Sequence, residues 1–107
     1  MLKNLKIILL PAGLLMLSIT ALQAHADSSV TISSFAFSPA TIEVTVGSQV
    51  NWINQDKASH SIISDTKSFS SDTLKQGDSF NHTFNTAGTY KYHCGFHKYM
   101  TGTVVVK

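Results

Sequence analysis

Apolar and polar residues alternate along residues 41–46, so that the apolar members fall on one face. A period of two is typical of a strand with one buried face. Gly47 opens a turn signal, and residues 49–54 then resume the alternation with Val50 and Trp52 on the buried side. This pattern predicts that the two segments pair as a β-hairpin.

Further short segments are rich in β-branched and aromatic residues, which favour strands. Turn signals separate them, and no segment has a helical period. About seven such strands predict an all-β sandwich of two antiparallel sheets. The one long irregular connection is a polar, serine-rich stretch from Asp65 to Asp78. The remaining predicted strands are 30–37, 60–64, 79–84, 88–93 and 101–106.

Large apolar residues within these strands are predicted to form the core. Tyr90 follows a glycine-containing turn signal, and we expect its hydroxyl to tie down that corner of the chain. The other predicted core residues are Phe35, Phe37, Trp52, Phe80, Phe84 and Val104.

Residues 1–26 have the three-part anatomy of a secretory signal peptide. Lysines come first, an apolar run from Ile7 to Leu17 follows, and Ala24-His25-Ala26 offers small residues at the cleavage positions. The apolar run is too short to span a bilayer comfortably. We therefore predict cleavage before Asp27, a single domain over residues 27–107 with no membrane anchor, and a periplasmic location.

Charge and cysteine usage narrow the function. The formal net charge of +2 falls to about zero once Lys3 and Lys6 leave with the leader, and the chain has no arginine. A basic surface for nucleic acid is therefore missing. Cys94 is the only cysteine, so it cannot form an internal disulfide. An unpaired thiol in an oxidising compartment points to a buried or metal-bound residue.

Candidate metal ligands recur at intervals of three in Cys94, His97 and Met100. Two imidazoles, a thiolate and a weak axial thioether make the ligand set of a blue copper site. Zinc also binds Cys and His but does not normally recruit Met. This segment supplies one imidazole, so a second histidine must come from elsewhere.

The second imidazole is predicted to be His60, which follows a loop at one end of the sandwich. His93 adjoins Cys94 on a strand, so its side chain points to the opposite face. His82 has no soft ligand nearby, and we expect His82 and His93 to be partly exposed strand residues without a metal role. Taken singly, a buried Cys or Met is more often a packing residue. The combination in a secreted chain favours the metal.

Three segments, Val50–Asn54, Ala87–Cys94 and Gly102–Val106, resemble the cupredoxins. Within that family the Cys-x-x-His-x-x-Met loop is similar to that of amicyanin. The resemblance covers nearly all of the chain after the leader, and it implies a Greek-key β-sandwich with one type 1 copper ion. It assigns the strong ligands to His60, Cys94 and His97, and the weak axial ligand to Met100.

The chain departs from the family pattern around both histidines. Ser59 and Ser61 stand where the family commonly has Pro and Asn, and we expect the Ser61 hydroxyl to donate a hydrogen bond to the neighbouring loop. Phe96 and Lys98 flank His97 where amicyanin has prolines. These changes alter the surface around the ligand rather than the ligand set.

The resemblance implies that the edge of His97 reaches the surface as the exit for electrons. Phe96, Lys98 and Tyr99, with Phe69 as a further candidate, are predicted to form a surface for brief docking. The expected function is a monomeric carrier of single electrons between redox proteins, of the periplasmic dehydrogenase or c-type cytochrome class.

Two other functions compete with an electron carrier. A copper delivery or storage module would use the same ligands. An enzyme with Cys94 as nucleophile and His97 as base would also need an orienting third group, which the sequence does not supply. We therefore expect a protein that is not an enzyme.

Overall fold

The structure is a computed structural model that describes residues 28–107, so the predicted leader, residues 1–26, lies outside the described residues. Residues 28–107 contain no helix long and apolar enough to cross a membrane. The strands of this part of the chain are β1 (Ser28–Ser33), β2 (Ala36–Ser38), β3 (Thr41–Val44), β4 (Ser48–Asn54), β5 (Ile63–Ser64), β6 (Ser79–Phe84), β7 (Gly88–His93) and β8 (Thr101–Val106).

The strands form two four-stranded sheets, ordered β2-β1-β4-β6 and β3-β8-β7-β5. The predicted sandwich of two sheets is confirmed, but the sheets are mixed rather than purely antiparallel. Strand β1 runs parallel to β4, and β3 runs parallel to β8. Alternation along a strand shows which face is buried, but it does not show the direction of the neighbouring strand.

The structure has eight strands within the described range because the predicted strand 30–37 is divided. Ser34 and Phe35 have φ angles of 53° and 57°, which turn the chain so that β2 pairs antiparallel with β1. The turn also takes Phe35 out of the alternation of β1. Its side chain is 43% exposed, so the prediction that Phe35 belongs to the core is wrong.

The predicted hairpin is also wrong, because β3 and β4 lie in different sheets. The Val46 N–H donates to the Lys107 carbonyl at the end of the β8 sheet, at 3.1 Å. The next N–H, that of Gly47, donates to the Phe84 carbonyl in the other sheet, at 2.7 Å. Gly47 has a φ of 93°, which favours glycine at this crossing. A turn signal marks a change of direction without saying where the next strand pairs.

The core lies between the two sheets and is centred on Trp52, which is fully buried. Its ring centroid lies 5.4 Å from that of Tyr92 in the opposite sheet. Phe80 and Tyr90 are partly buried against this core, and the Tyr90 hydroxyl donates to the Thr86 carbonyl at 2.7 Å, which confirms the predicted corner. The remaining predicted core residues, Phe37, Phe84 and Val104, are buried.

The long stretch 65–78 packs back along the residues that precede β5. His60 and Leu74 exchange two backbone hydrogen bonds, of 3.0 and 2.7 Å. Of the predicted strand 60–64, only Ile63–Ser64 forms a regular strand. Its first residue, His60, is nevertheless hydrogen-bonded through both its N–H and its carbonyl. This pairing positions His60 at the end of the sandwich.

Candidate metal centre

Two connections at one end of the sandwich bring three predicted ligands together. His60 lies between β4 and β5, whereas Cys94 and His97 lie between β7 and β8. One ligand atom from each residue lies within 4.8 Å of the other two. The Cys94 Sγ is 3.6 Å from Nδ1 of His60 and 3.8 Å from Nδ1 of His97.

These separations fit a bound metal ion. A metal about 2.0 Å from nitrogen and about 2.3 Å from sulfur, with tetrahedral angles, holds its nitrogen and sulfur ligands roughly 3.6 Å apart. Both histidines present the same nitrogen, Nδ1, to the thiol. A soft thiolate with two imidazoles fits the ligand set of a type 1 copper site.

The Cys94 thiol is fully buried and is contacted by the segment after His60. The Ser61 N–H donates to Cys94 Sγ at 3.5 Å, and the Gly95 N–H donates to the Ser61 hydroxyl oxygen at 3.0 Å. Ser61 thus joins the two ligand-bearing connections, although its hydroxyl accepts in this contact rather than donating as expected. These bonds hold the sulfur and His60 in a constant relative position.

Met100 closes the connection that carries Cys94 and His97. The Cys94 N–H donates to the Met100 carbonyl at 3.0 Å, and the Met100 N–H donates to the His97 carbonyl at 2.9 Å. The Met100 side chain is 2% exposed and belongs to the buried cluster of the core. One backbone hydrogen bond therefore joins the two ends of this short loop, and the other closes the turn from His97 to Met100.

The structure does not bring His82 or His93 to this cluster. His93 lies on β7 with its Nδ1 2.7 Å from Oδ1 of Asp65, and its side chain is 27% exposed. The ring of His82 stacks on Phe69 with centroids 4.8 Å apart, and burial lowers the pKa of His82 below 6.5. Within residues 28–107, the side chains that could together hold a metal ion are those of His60, Cys94 and His97, and neither His82 nor His93 is among them.

Sequence reasoning missed Asp56, whose Oδ2 lies 2.9 Å from Nε2 of His60. The carboxylate also accepts hydrogen bonds from the N–H groups of Ser34 and Phe35. The bond from Phe35 holds the pKa of Asp56 below 3.8; those from His60 and Ser34 act in the same direction, and burial opposes them. An acidic residue four positions before a candidate ligand was the available signal.

Phe35 was missed as well, because its apolar side chain suggested core packing. Its ring centroid lies 5.1 Å from the His60 ring and 5.0 Å from the His97 ring, with an interplanar angle of 86° in both cases. The Phe35 ring therefore stands against both candidate imidazoles at the surface of the site.

The surface predicted for docking is exposed in part. Phe96 is 57% exposed and Tyr99 is 74% exposed, and Lys98 between His97 and Tyr99 is exposed as well. His97 itself is half-buried.

Phe69 is 7% exposed, so its candidate place in the docking surface is wrong. It packs against Trp52 and Phe84 inside the sandwich. The loop that carries Phe69 folds back along residues 60–64, and the ring is buried there.

Known proteins resemble this chain over most of its length. A family model described as a cupredoxin-like domain matches residues 6–106. Amicyanin from Paracoccus denitrificans is 31% identical over 83 residues, covering 73% of this chain and 63% of that protein. Halocyanin from Natronomonas pharaonis is 37% identical over 82 residues, covering 70% of this chain and 50% of that protein. The chain therefore spans between half and two thirds of the length of these relatives.

Solved structures share the same fold. A purple cupredoxin from Nitrosopumilus maritimus superposes with a TM-score of 0.71 and 35% identity, covering 76% of this chain and 100% of that one. The oxidised state of an amicyanin point mutant gives a TM-score of 0.71 and 30% identity, covering 76% and 82%. A copper-containing nitrite reductase from Thermus scotoductus gives 0.71 and 26%, covering 77% of this chain and 22% of that one.

The predicted resemblance thus agrees with the family match, the sandwich and the His60–Cys94–His97 cluster. This chain belongs to the cupredoxin family.

Proposed function

We propose that the protein is a type 1 copper protein that carries single electrons. His60, Cys94 and His97 are the strong ligands in this proposal, and Met100 is the weak axial ligand. The observation that supports it best is the convergence of the Cys94 thiol with Nδ1 of both histidines, at 3.6 and 3.8 Å.

A bound copper ion supplies a one-electron couple, and its two oxidation states prefer different geometries. The contribution of the chain is to hold one ligand arrangement for both. The backbone of His60 is bonded on both sides to Leu74, and the loop from Cys94 to Met100 is clasped by two hydrogen bonds. Burial keeps water from two of the proposed ligands, His60 and Cys94. Little rearrangement is then needed when an electron arrives or leaves.

Electrons would pass through His97, the one half-buried member of the cluster. The exposed rings of Phe96 and Tyr99 offer apolar surface beside it, with Lys98 between, and Phe35 adds a third partly exposed ring. We propose transient docking there to a redox protein of the periplasmic dehydrogenase or c-type cytochrome class. The carrier acts as a periplasmic monomer without enzymatic activity, released by cleavage before Asp27.

The test is to add Cu(II) to the purified protein and record the visible spectrum. Thiolate-to-Cu(II) charge transfer should give an intense blue band, which Cys94→Ser removes completely while the far-ultraviolet circular dichroism stays that of a β protein. His60→Ala should also lose the type 1 band. The matched control is His93→Ala, which should keep the band because the His93 ring contacts Asp65 and is not among the three side chains that converge at the proposed site.

Binding of Cu(II) without intense colour would contradict the electron-carrier function. Ready transfer of Cu(I) to an acceptor, with slow redox cycling, would instead indicate a delivery module that uses the same ligands. Slow copper exchange with rapid cycling is the expected result.

A further inference from the structure

The outer nitrogen of the His60 ring faces a single partner. His60 is fully buried, and its Nε2 lies 2.9 Å from Oδ2 of Asp56. The Asp56 side chain is 14% exposed, so this contact is largely shielded from water. A buried ring nitrogen with one polar partner takes its orientation from that partner.

The same carboxylate holds a turn from another part of the chain. Its Oδ1 accepts the Ser34 N–H at 2.8 Å, and its Oδ2 accepts the Phe35 N–H at 2.9 Å. Both residues have positive φ angles, of 53° and 57°, a region that residues other than glycine seldom occupy. The two hydrogen bonds compensate for that unfavourable backbone conformation.

The contacts of Asp56 determine the protonation pattern of His60. The backbone N–H groups of Ser34 and Phe35 favour the ionised form of this carboxylate, and an ionised carboxylate can only accept hydrogen bonds. The proton between the two side chains therefore resides on Nε2 of His60. Nδ1 is left with its lone pair directed toward Cys94 Sγ, 3.6 Å away, as a metal ligand requires.

The Ser34–Phe35 turn also places the Phe35 ring over the candidate ligands. That ring stands nearly perpendicular to the rings of His60 and His97, with centroids about 5 Å away. Phe35 is not part of the buried core cluster, so its position depends on the turn that Asp56 holds. The Asp56 carboxylate thus positions both the proposed ligand His60 and the Phe35 ring that shields it.

We propose that Asp56 is a positioning residue of the copper site, which orients Nδ1 of His60 toward the metal and fixes the Ser34–Phe35 turn over both imidazoles. This inference rests on the proposed function, because it assumes copper at His60. It concerns the geometry of the ligand rather than its identity.

The experiment compares wild type with Asp56→Ala, Asp56→Asn and Asp56→Glu. Loss of the partner of a ligating histidine typically lowers metal affinity about 10–100-fold. We expect Asp56→Ala to weaken Cu(II) binding to that extent and to shift both the charge-transfer band and the reduction potential. Asp56→Asn should lie between it and wild type, and Asp56→Glu should restore part of the loss.

The matched control is Asp65→Ala, which removes a carboxylate of equal charge from a histidine that is not a proposed ligand. Asp65 lies 2.7 Å from His93, so this variant removes a carboxylate–imidazole pair of the same kind. Spectrum, affinity and potential should all stay at wild-type values. Equal changes in Asp65→Ala and Asp56→Ala would overturn the proposal, because general charge loss would then explain both.

A copper-free measurement separates this inference from the proposed function. Nitrogen-15 NMR of the imidazoles should show His60 protonated at Nε2 in wild type, and a mixture of tautomers in Asp56→Ala or, if that variant does not fold, in Asp56→Asn. A colourless wild-type protein would overturn the proposed function alone. A blue wild type with unchanged spectrum, affinity and tautomer in the Asp56 variants would overturn the positioning role alone.

Discussion

At the scale of single residues, a neighbouring side chain explains why residue 102 is glycine. Gly102 is the cross-strand partner of Tyr92, and a Cβ at Gly102 would overlap the Tyr92 ring. Gly102 does not have a positive φ, so close packing rather than backbone conformation requires glycine here. Tyr92 is fully buried, and burial raises the pKa of its hydroxyl to about 12. Tyr92, two residues before Cys94, therefore keeps a neutral hydroxyl in the core.

Gly102→Ala is predicted to destabilise the protein, because the added methyl group must displace a buried ring in a close-packed core. Overpacking of this kind costs about 1–3 kcal/mol. Urea unfolding should show a lower midpoint with little change in slope. Thr101→Ala, at the exposed neighbouring position of β8, is the control and should stay near wild type. Equal stability of Gly102→Ala and wild type would mean that the Tyr92 ring moves aside without cost.

At the scale of elements, β6 is an edge strand whose inward face carries Phe80, His82 and Phe84. The His82 ring contacts Phe69 and Phe84, with centroids 4.8 and 4.7 Å away. Burial lowers its pKa below 6.5, and no charged group contributes to the shift. A neutral imidazole therefore suits this strand better than a charged one.

The lowered pKa predicts that stability falls on acidification. The unfolded chain binds a proton at His82 near pH 6.5, and the folded chain binds it only at lower pH. The contribution is fully present above pH 6.5 and is lost as pH falls through the folded pKa. The loss is modest because the ring is only partly buried. Unfolding midpoints between pH 7.5 and 5 should fall less steeply in His82→Phe than in wild type.

The control for this measurement is His93→Gln, which removes a histidine outside the aromatic face of β6. Its midpoints should decline with pH more steeply than those of His82→Phe. Parallel pH profiles for His82→Phe and wild type would show that protonation of His82 does not contribute to acid destabilisation.

At the scale of the whole molecule, the candidate metal centre formed by His60, Cys94 and His97 lies where the two sheets meet at one end of the sandwich. His60 follows β4 of one sheet, whereas Cys94 and His97 connect β7 and β8 of the other. An ion held by these ligands links the β4–β5 connection to the β7–β8 connection at one end of the sandwich. Because the arrangement exists only in the folded chain, binding and folding are coupled.

Copper is therefore predicted to stabilise the protein against unfolding. A ligand at 100 times its dissociation constant adds about 2.7 kcal/mol, less whatever binds to the unfolded chain. Denaturant titrations with and without Cu(I), under anaerobic conditions, should show a clear rise in the midpoint. Cys94→Ser is the control and should show a much smaller rise. Identical midpoints for wild type with and without Cu(I) would contradict a site built from both sheets.

The sequence alone determined the features that depend on local spacing. The intervals between Cys94, His97 and Met100 indicate soft-metal chemistry because one short loop carries all three side chains. Strand parity places Cys94 and His93 on opposite faces, and the structure buries the first and leaves the second partly exposed. Alternation likewise predicted the buried face of β4, since a period of two is a property of the strand itself.

Only the tertiary structure decided which distant residues meet. Asp56 joins the His60 ring to the distant Ser34–Phe35 turn. Asn54 shapes the loop that carries Asp56, its side chain donating to the Ala58 carbonyl and accepting from the Asp56 N–H. Phe35 covers the site because its turn bonds to a residue 21 positions away. Likewise, the crossing after Val46 separates two strands whose pattern favoured a hairpin. Periodicity predicts the face of a strand on which a side chain lies. These contacts depend instead on how connections far apart in the chain pack together.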